Sequence, residues 1–256
     1  MNINNRIALV TGGSRGIGAA ICKLLAADGA IVAVNYRSGE AEAKQVVAEI
    51  EAAGGRAIAV GGDVADHEQS SRLVERVINE LGGLHILINN AGISRDSLIY
   101  NMAPADCWEV MRVNFGGVFN CTQAVLPHFM AKGDGVIVNV SSVMGERGWI
   151  GESNYSASKG AVNAFTRCTA METARFGIRV NAVLPGFAAT DLVTGLADGA
   201  TGKAITRQIP MRRFAEVDQV ARVVRFLAGP ESGYLTGSLV NADGGAMAAL
   251  GLGRPS

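Results

Sequence analysis

The chain has 256 residues, long enough for one large α/β domain, and its 48% apolar content with 33 glycines excludes a disordered or fibrous protein. Lysine plus arginine equals aspartate plus glutamate at 23 each, so no bulk charge draws it to nucleic acid or to an anionic membrane. Cys22, Cys107, Cys121 and Cys168 form no CxxC pair and the three histidines form no metal-ligand spacing, so free thiols in a reducing compartment and no metal are expected.

The polar start, Met1 to Arg6, carries no signal peptide and no apolar run is long enough to span a bilayer; a cytoplasmic protein without a membrane partner is expected. The first strand, Ile7–Val10, runs into Thr11-Gly-Gly-Ser-Arg-Gly-Ile-Gly18 and then a helix over Ala19–Ala27. Glycines turn the chain tightly and let backbone approach a pyrophosphate, while the helix start presents unpaired N–H groups. The spacing is GxxxGxG, and its place between strand and helix points to nucleotide binding.

The second strand, Ile31–Val34, ends at Asn35-Tyr36-Arg37-Ser38. An acidic residue here would accept from a ribose 2′-hydroxyl, whereas Arg37, with Arg15 in the glycine loop, suits a 2′-phosphate and so NADP(H). After a helix over Ala41–Ala52, the third strand Ala57–Val60 leads to Asp63-Val64, placed to meet the adenine. A helix over Gln69–Leu81 precedes the fourth strand, Ile86–Ile88, and the small-residue turn Asn89-Asn-Ala-Gly92.

A long helix is expected over Trp108–Met130, then a fifth strand, Val136–Val140, followed by Ser141 and Ser142. Tyr155 and Lys159 open the next helix, expected over Tyr155–Phe176. Four apart, they share a helical face, and an ammonium beside a phenol favours phenolate, drawing the tyrosine below its usual pKa of about 10. The sixth strand, Val180–Leu184, leads to a loose stretch, Thr190–Lys203, read as a mobile loop or short helical flap within the same domain. A helix over Val217–Leu227, a strand at Ser238–Val240 and a tail, Gly251–Ser256, that frays or docks on a neighbouring subunit complete the chain.

Near-continuous apolar strands alternating with helices predict a single-domain, doubly wound Rossmann-type α/β fold of about seven parallel strands with helices on both faces. Ligands in such folds bind at the carboxyl ends of the strands, where most of the residues named above fall.

The Thr11–Gly18 loop, Asn89–Gly92, Asn114, Ser142, Tyr155 with Lys159, and Pro185-Gly186 with Thr190 together resemble the short-chain dehydrogenase/reductase family over nearly the whole chain. Within it, Asn89–Asp96, Pro185–Asp191 and Asn241–Gly245 resemble the reductases of carrier-linked 3-oxoacyl thioesters, and almost as much those of acetoacetyl-CoA. The resemblance implies that Ser142 binds the substrate carbonyl and Tyr155 gives it a proton. Lys159 would hold the nicotinamide ribose and tune Tyr155, and Asn114 would support a proton-returning water. It implies that Gly12, Ser14, Arg15 and Ile17 line the pyrophosphate and adenosine side, that Arg37, Asp63, Val64 and Asn90 follow along the cofactor, and that Ala188 and Thr190 close over the nicotinamide. It implies a homotetramer, through the two long helices, and a place in fatty acid or polyketide biosynthesis.

Two features depart from the pattern. Such reductases often carry Gln where this chain has Glu152, and Glu146, Arg147 and Trp149 add bulk and charge near the substrate mouth, so a specialised keto-acyl substrate is an alternative to a fatty acyl chain. Trp149 is either a loop anchor or a substrate contact. An acyl carrier protein would present acidic surface, for which Lys132, Arg147, Arg175 and Arg179 are the candidate contacts. A non-catalytic nucleotide-binding regulator and a purely structural subunit are the readings from other classes.

Overall fold

A computed structural model of the chain describes residues 3–190 and 199–248. Seven strands form one parallel sheet: β1 (Ile7–Val10), β2 (Ile31–Tyr36), β3 (Arg56–Gly61), β4 (Ile86–Asn89), β5 (Gly135–Val140), β6 (Ile178–Pro185) and β7 (Leu239–Ala242). Their spatial order is β3-β2-β1-β4-β5-β6-β7, so the winding reverses between β1 and β4, as the strand pattern predicts for a doubly wound sheet.

The helices among the described residues are α1 (Gly16–Ala27), α2 (Glu40–Ala52), α3 (His67–Leu81), α4 (Pro104–Met111), α5 (Gly117–Lys132), α6 (Ser153–Thr173), α7 (Gly199–Gln208) and α8 (Val217–Ala228). Alternate residues of each strand serve opposite faces: Ala8 and Val10 pack with α1, α2 and α8, whereas Ile7 and Leu9 pack with α3, α5 and α6. Burial on both faces is why the strands read as unbroken apolar runs.

Local chemistry sets the element ends. Asp66 caps α3 by accepting from Gln69 N at 2.8 Å, and Gly82 ends it in the left-handed conformation at φ 84°. A reciprocal capping box of Glu216 and Gln219 starts α8.

The helix expected over Trp108–Met130 is instead three pieces. It starts earlier, with Pro104 at its first turn, and a π-helical turn over Arg112–Gly116 separates α4 from α5. Within that turn the buried Asn114 amide reaches sideways, accepting from Ile93 N at 2.8 Å and donating to Ile93 O at 3.0 Å and Ser158 Oγ at 3.1 Å. A turn tethered to two other elements leaves the regular i→i−4 ladder, which the apolar periodicity alone does not reveal. The loose stretch Thr190–Lys203 ends in α7; its residues 191–198, like the tail Gly251–Ser256, lie outside the described residues.

Candidate active site

The reversal between β1 and β4 opens a crevice at the carboxyl ends of the strands, and the glycine loop forms one wall. Gly12 sits at φ 60° and Gly16 at φ 55°, conformations that residues with a Cβ rarely adopt. A Cβ on Gly18 would overlap the Gly12 carbonyl oxygen and come within 2.6 Å of Asn90 Nδ2.

Three side chains fix this loop to its neighbours. Asn90 donates from Nδ2 to Thr11 O and Gly12 O, both at 3.0 Å. Thr11 Oγ1 accepts from Asn90 N at 2.9 Å and Ala91 N at 3.1 Å, which joins β4 to the loop. The buried Asn35 accepts from Gly12 N at 3.3 Å and donates to Val60 O and Gly62 O, which joins β1, β2 and β3. The turn signals at Asn89–Gly92 and after β2 mark these regions, but only the fold shows that Thr11, Asn35 and Asn90 brace the cradle.

Ser14 and Arg15 line a cleft of about 510 Å³ between α1 and α2. A Cβ on Gly39 would approach Ser14 Oγ to 3.3 Å, so the chain just beyond the exposed Arg37 runs against the glycine loop. Asp63 turns its carboxylate to Ala65 N at 3.0 Å, and Val64 is buried and in contact with Gly117. Across the loop, the Thr190 methyl lies 3.7 Å from where a Gly16 Cβ would project, and Ala188, buried, forms a bridge with Ala215.

The opposite wall comes from β5 and α6. Ser142, just past β5, accepts from Met144 N at 3.1 Å and hydrogen-bonds the Tyr155 phenol. Lys159 is buried; its Nζ donates to Val140 O at 2.9 Å and lies 5.5 Å from the centre of the Tyr155 ring. Gly92 has both Asn114 Oδ1 and Lys159 Nζ beside it, at 3.3 Å and 3.6 Å from where a Cβ would project. The structure therefore gathers Asn114, Ser142, Tyr155 and Lys159 at one end of the crevice, with the glycine cradle at the other.

The electrostatics differ from the expectation for Tyr155. Desolvation, the larger effect, pushes its phenol up to about 12; the Ser142 hydrogen bond works against this, and the carboxylates of Glu152 and Asp96 add to it. Burial also lowers Lys159 to about 8, which leaves it mostly protonated at neutral pH. The phenol thus keeps its proton at neutral pH.

Trp149 belongs to an aromatic rim. Its ring meets Phe187 edge-on at 5.5 Å, and Phe187 stacks on Phe214 at 5.6 Å, so Trp149 anchors its loop within an aromatic wall. The basic candidates separate by topology. Lys132 and Arg175 stand three residues before β5 and β6, and Arg179 is the second residue of β6, so all three stand at the amino ends of parallel strands, away from this crevice. Arg179 instead ties the end of α8, donating to Leu227 O, Ser232 Oγ and Gly229 O. Arg147 alone of the four is on the crevice side, donating to Met247 O at 3.2 Å.

Comparison with known proteins agrees with this geometry. The profile of the short chain dehydrogenase family matches residues 6–200. A 3-oxoacyl-acyl-carrier-protein reductase of Synechocystis is 43% identical over 94% of this chain and 96% of its own length. The Staphylococcus aureus enzyme of that name is 41% identical over 93% of this chain and 96% of its own. A gluconate 5-dehydrogenase of Burkholderia cenocepacia, solved with NADP and tartrate, superposes with a TM-score of 0.93 at 35% identity, over 97% and 98% of the two chains.

Proposed function

The chain belongs to the short-chain dehydrogenase family, and from that membership we propose that it reduces a 3-oxoacyl thioester to the 3-hydroxyacyl thioester with NADPH, in the cytoplasm. The observation that carries this reading is the Tyr155 phenol beside Ser142 and the buried Lys159 at the end of a glycine cradle.

The cradle suits a dinucleotide: bare backbone at Gly12, Gly16 and Gly18 permits close approach, and the α1 amino end favours a pyrophosphate. Gly12, Ser14, Arg15 and Ile17 would hold the pyrophosphate side, with Arg37 and Arg15 at the 2′-phosphate. Asp63, Val64 and Asn90 would follow the adenosine, and Ala188 and Thr190 the nicotinamide end. When bound, NADPH supplies the hydride. Ser142 orients the substrate carbonyl and stabilises charge developing on its oxygen, while Tyr155 transfers its phenolic proton to that oxygen. Lys159 holds the ribose and favours the phenolate that remains, and Asn114 positions the path by which solvent returns the proton. A protonated phenol suits the reductive direction; oxidation of an alcohol needs the phenolate first.

The likeness to a gluconate dehydrogenase raises a sugar acid as the alternative substrate. The aromatic wall of Trp149, Phe187 and Phe214 and the acidic pair Glu152 and Asp96 favour a neutral acyl group over an anion. Acyl-carrier-protein delivery is supported by Lys203, Arg207, Arg212 and Arg213, which are exposed on α7 and the segment after it. Exposed Trp108, Phe119 and Met171 on α4, α5 and α6 supply apolar surface for a homotetramer, which light scattering would check.

The test is NADPH oxidation with a panel of carrier-linked 3-oxoacyl thioester, matching CoA thioester, simple ketone and 5-ketogluconate. Preference for the carrier thioester supports the reading, and preference for the sugar acid overturns it. No oxidation of NADPH with any of them would favour a non-catalytic nucleotide-binding role.

A further inference from the structure

The end of β5 and the residues just past it run along α6 and hold it at successive points. Asn139 Nδ2 donates to Thr166 Oγ1 at 2.8 Å, Lys159 Nζ donates to Val140 O at 2.9 Å, and Ser142 meets the Tyr155 phenol. Between the Lys159 and Tyr155 contacts stands Ser141, which the proton transfer described above does not use. Its main chain is fixed to the sheet, its N–H donating to Val183 O of β6 at 2.8 Å, and its side chain is buried. Ser141 Oγ lies 3.2 Å from Lys159 O and 2.6 Å from the side-chain amide of Asn163, which is buried one turn further along α6. Consecutive residues of one strand end thus grip Lys159 twice, Val140 by its ammonium and Ser141 by its main chain.

The turn beyond Ser142 closes over the same spot. A Cβ on Gly145 would fall 2.7 Å from Lys159 C and 2.8 Å from Asn163 Nδ2, so the Val143–Gly145 turn lies flat on α6 and encloses the amide. Asn163 Nδ2 has no hydrogen-bond partner among the described residues, while the single Ser141 proton faces two acceptors, Lys159 O and Asn163 Oδ1.

We infer that Ser141 and Asn163 are positioning residues for proton transfer. With the Asn163 amide turned over, Nδ2 donates to Ser141 Oγ and the hydroxyl proton goes to Lys159 O, so the amide aims the hydroxyl at the helix. This contact sets the register of α6 on the end of β5, and with it the distance from Tyr155 and Lys159, on the helix, to Ser142, on the strand side. The Asn139–Thr166 bond lies further along α6, so it keeps the helix docked when the Ser141 contact is lost, and only the end that carries Tyr155 is released. The inference rests on the proton-transfer reading above and is independent of which carbonyl compound is the substrate.

The experiment takes Ser141→Ala, Asn163→Leu (close to asparagine in shape) and the double variant as intact enzymes. Steady-state kinetics in H2O and D2O, with NADPH and whichever carbonyl compound of the panel above turns over, are joined to NADPH titration and urea unfolding. In each single variant kcat should fall roughly ten- to a hundredfold, with KM and the NADPH dissociation constant within about twofold of wild type, because the reacting groups are misplaced and the glycine cradle is not. The solvent isotope effect on kcat should grow, since proton transfer from Tyr155 then limits the rate. The double variant should lose no more than the worse single one, because both side chains act through one contact. Ser141→Cys, similar in shape but with a weak S–H donor, should show the same split and replaces Ser141→Ala if that chain does not fold. Wild-type kcat in a folded single variant overturns the inference. So does a parallel worsening of kcat, KM and NADPH affinity, or a double loss equal to the product of the single ones. Wild-type turnover in Tyr155→Phe overturns the proton-transfer reading itself, and the positioning roles with it.

Discussion

Replacing Gly18 with alanine tests the cradle most directly. Inside α1 the exchange should help, since alanine is favoured over glycine in a helix by about 1 kcal/mol. Against this, the new Cβ overlaps the Gly12 carbonyl oxygen and stands 2.6 Å from Asn90 Nδ2, where ordinary contact begins near 3.4 Å. Neither neighbour moves freely: one is backbone, and the other is held by bonds to Thr11 O and Gly12 O. Losing one or two of those bonds costs about 1 kcal/mol each, and overpacking a further ~1–3 kcal/mol. The opposing terms leave the variant roughly 1–4 kcal/mol less stable, with the loop displaced from the pyrophosphate and NADPH affinity lower by at least about tenfold. Urea unfolding and fluorescence titration with NADPH measure both. Gly83→Ala is the control, because a Cβ there meets only ordinary contacts at 3.6 Å and beyond. Unchanged stability and unchanged affinity in Gly18→Ala would refute the account of why this loop is glycine-rich.

Removing the phenolic hydroxyl with Tyr155→Phe should lower kcat roughly a hundred- to ten-thousand-fold while leaving NADPH affinity close to wild type; turnover within a few-fold of wild type would remove the proton donor assigned here. Arg37→Ala should weaken NADPH by about tenfold and leave NADH unchanged, read as the ratio of the two dissociation constants. Glu152→Gln should change stability with pH. The folded carboxyl sits at about 7 against 4.5 unfolded, so the wild type is penalised as pH rises between those values and carries the full penalty above 7. Allowing for solvent screening of a partly exposed carboxyl, the Gln variant should be more stable by roughly 1–2 kcal/mol at pH 8 and lose that advantage by pH 4, measured by urea unfolding at both.

Much of the architecture follows from local chemistry. Runs such as Ile31–Val34 and Val136–Val140 are apolar throughout because each strand is covered on both faces, and their alternation with amphipathic segments fixes a parallel, doubly wound sheet. The glycine loop, Asn89–Gly92, Ser142 and the Tyr155–Lys159 pair are legible because each lies immediately after a strand or at a helix start, where backbone geometry and chemistry are tied to neighbours in the chain.

What the tertiary structure alone decided involves partners distant in sequence. The π turn at Arg112–Gly116 goes with a buried amide that reaches Ile93 and Ser158, which no periodicity encodes. How deeply the Tyr155 phenol is buried, and that the carboxylates of Glu152 and Asp96 act on it, depends on packing that the i, i+4 spacing of Tyr155 and Lys159 does not contain. Lys132, Arg175 and Arg179 carry the expected charge but fall at the far ends of parallel strands, and Asp96 meets Glu152 only because Asn154 and Gly151 pull its loop against α6. Sequence determined which elements form and which residues close their ends, because those depend on short-range sterics and on which faces are buried. Packing determined which charges meet and how well they are solvated, because Coulomb and desolvation energies depend on distances in space that the order of residues does not contain.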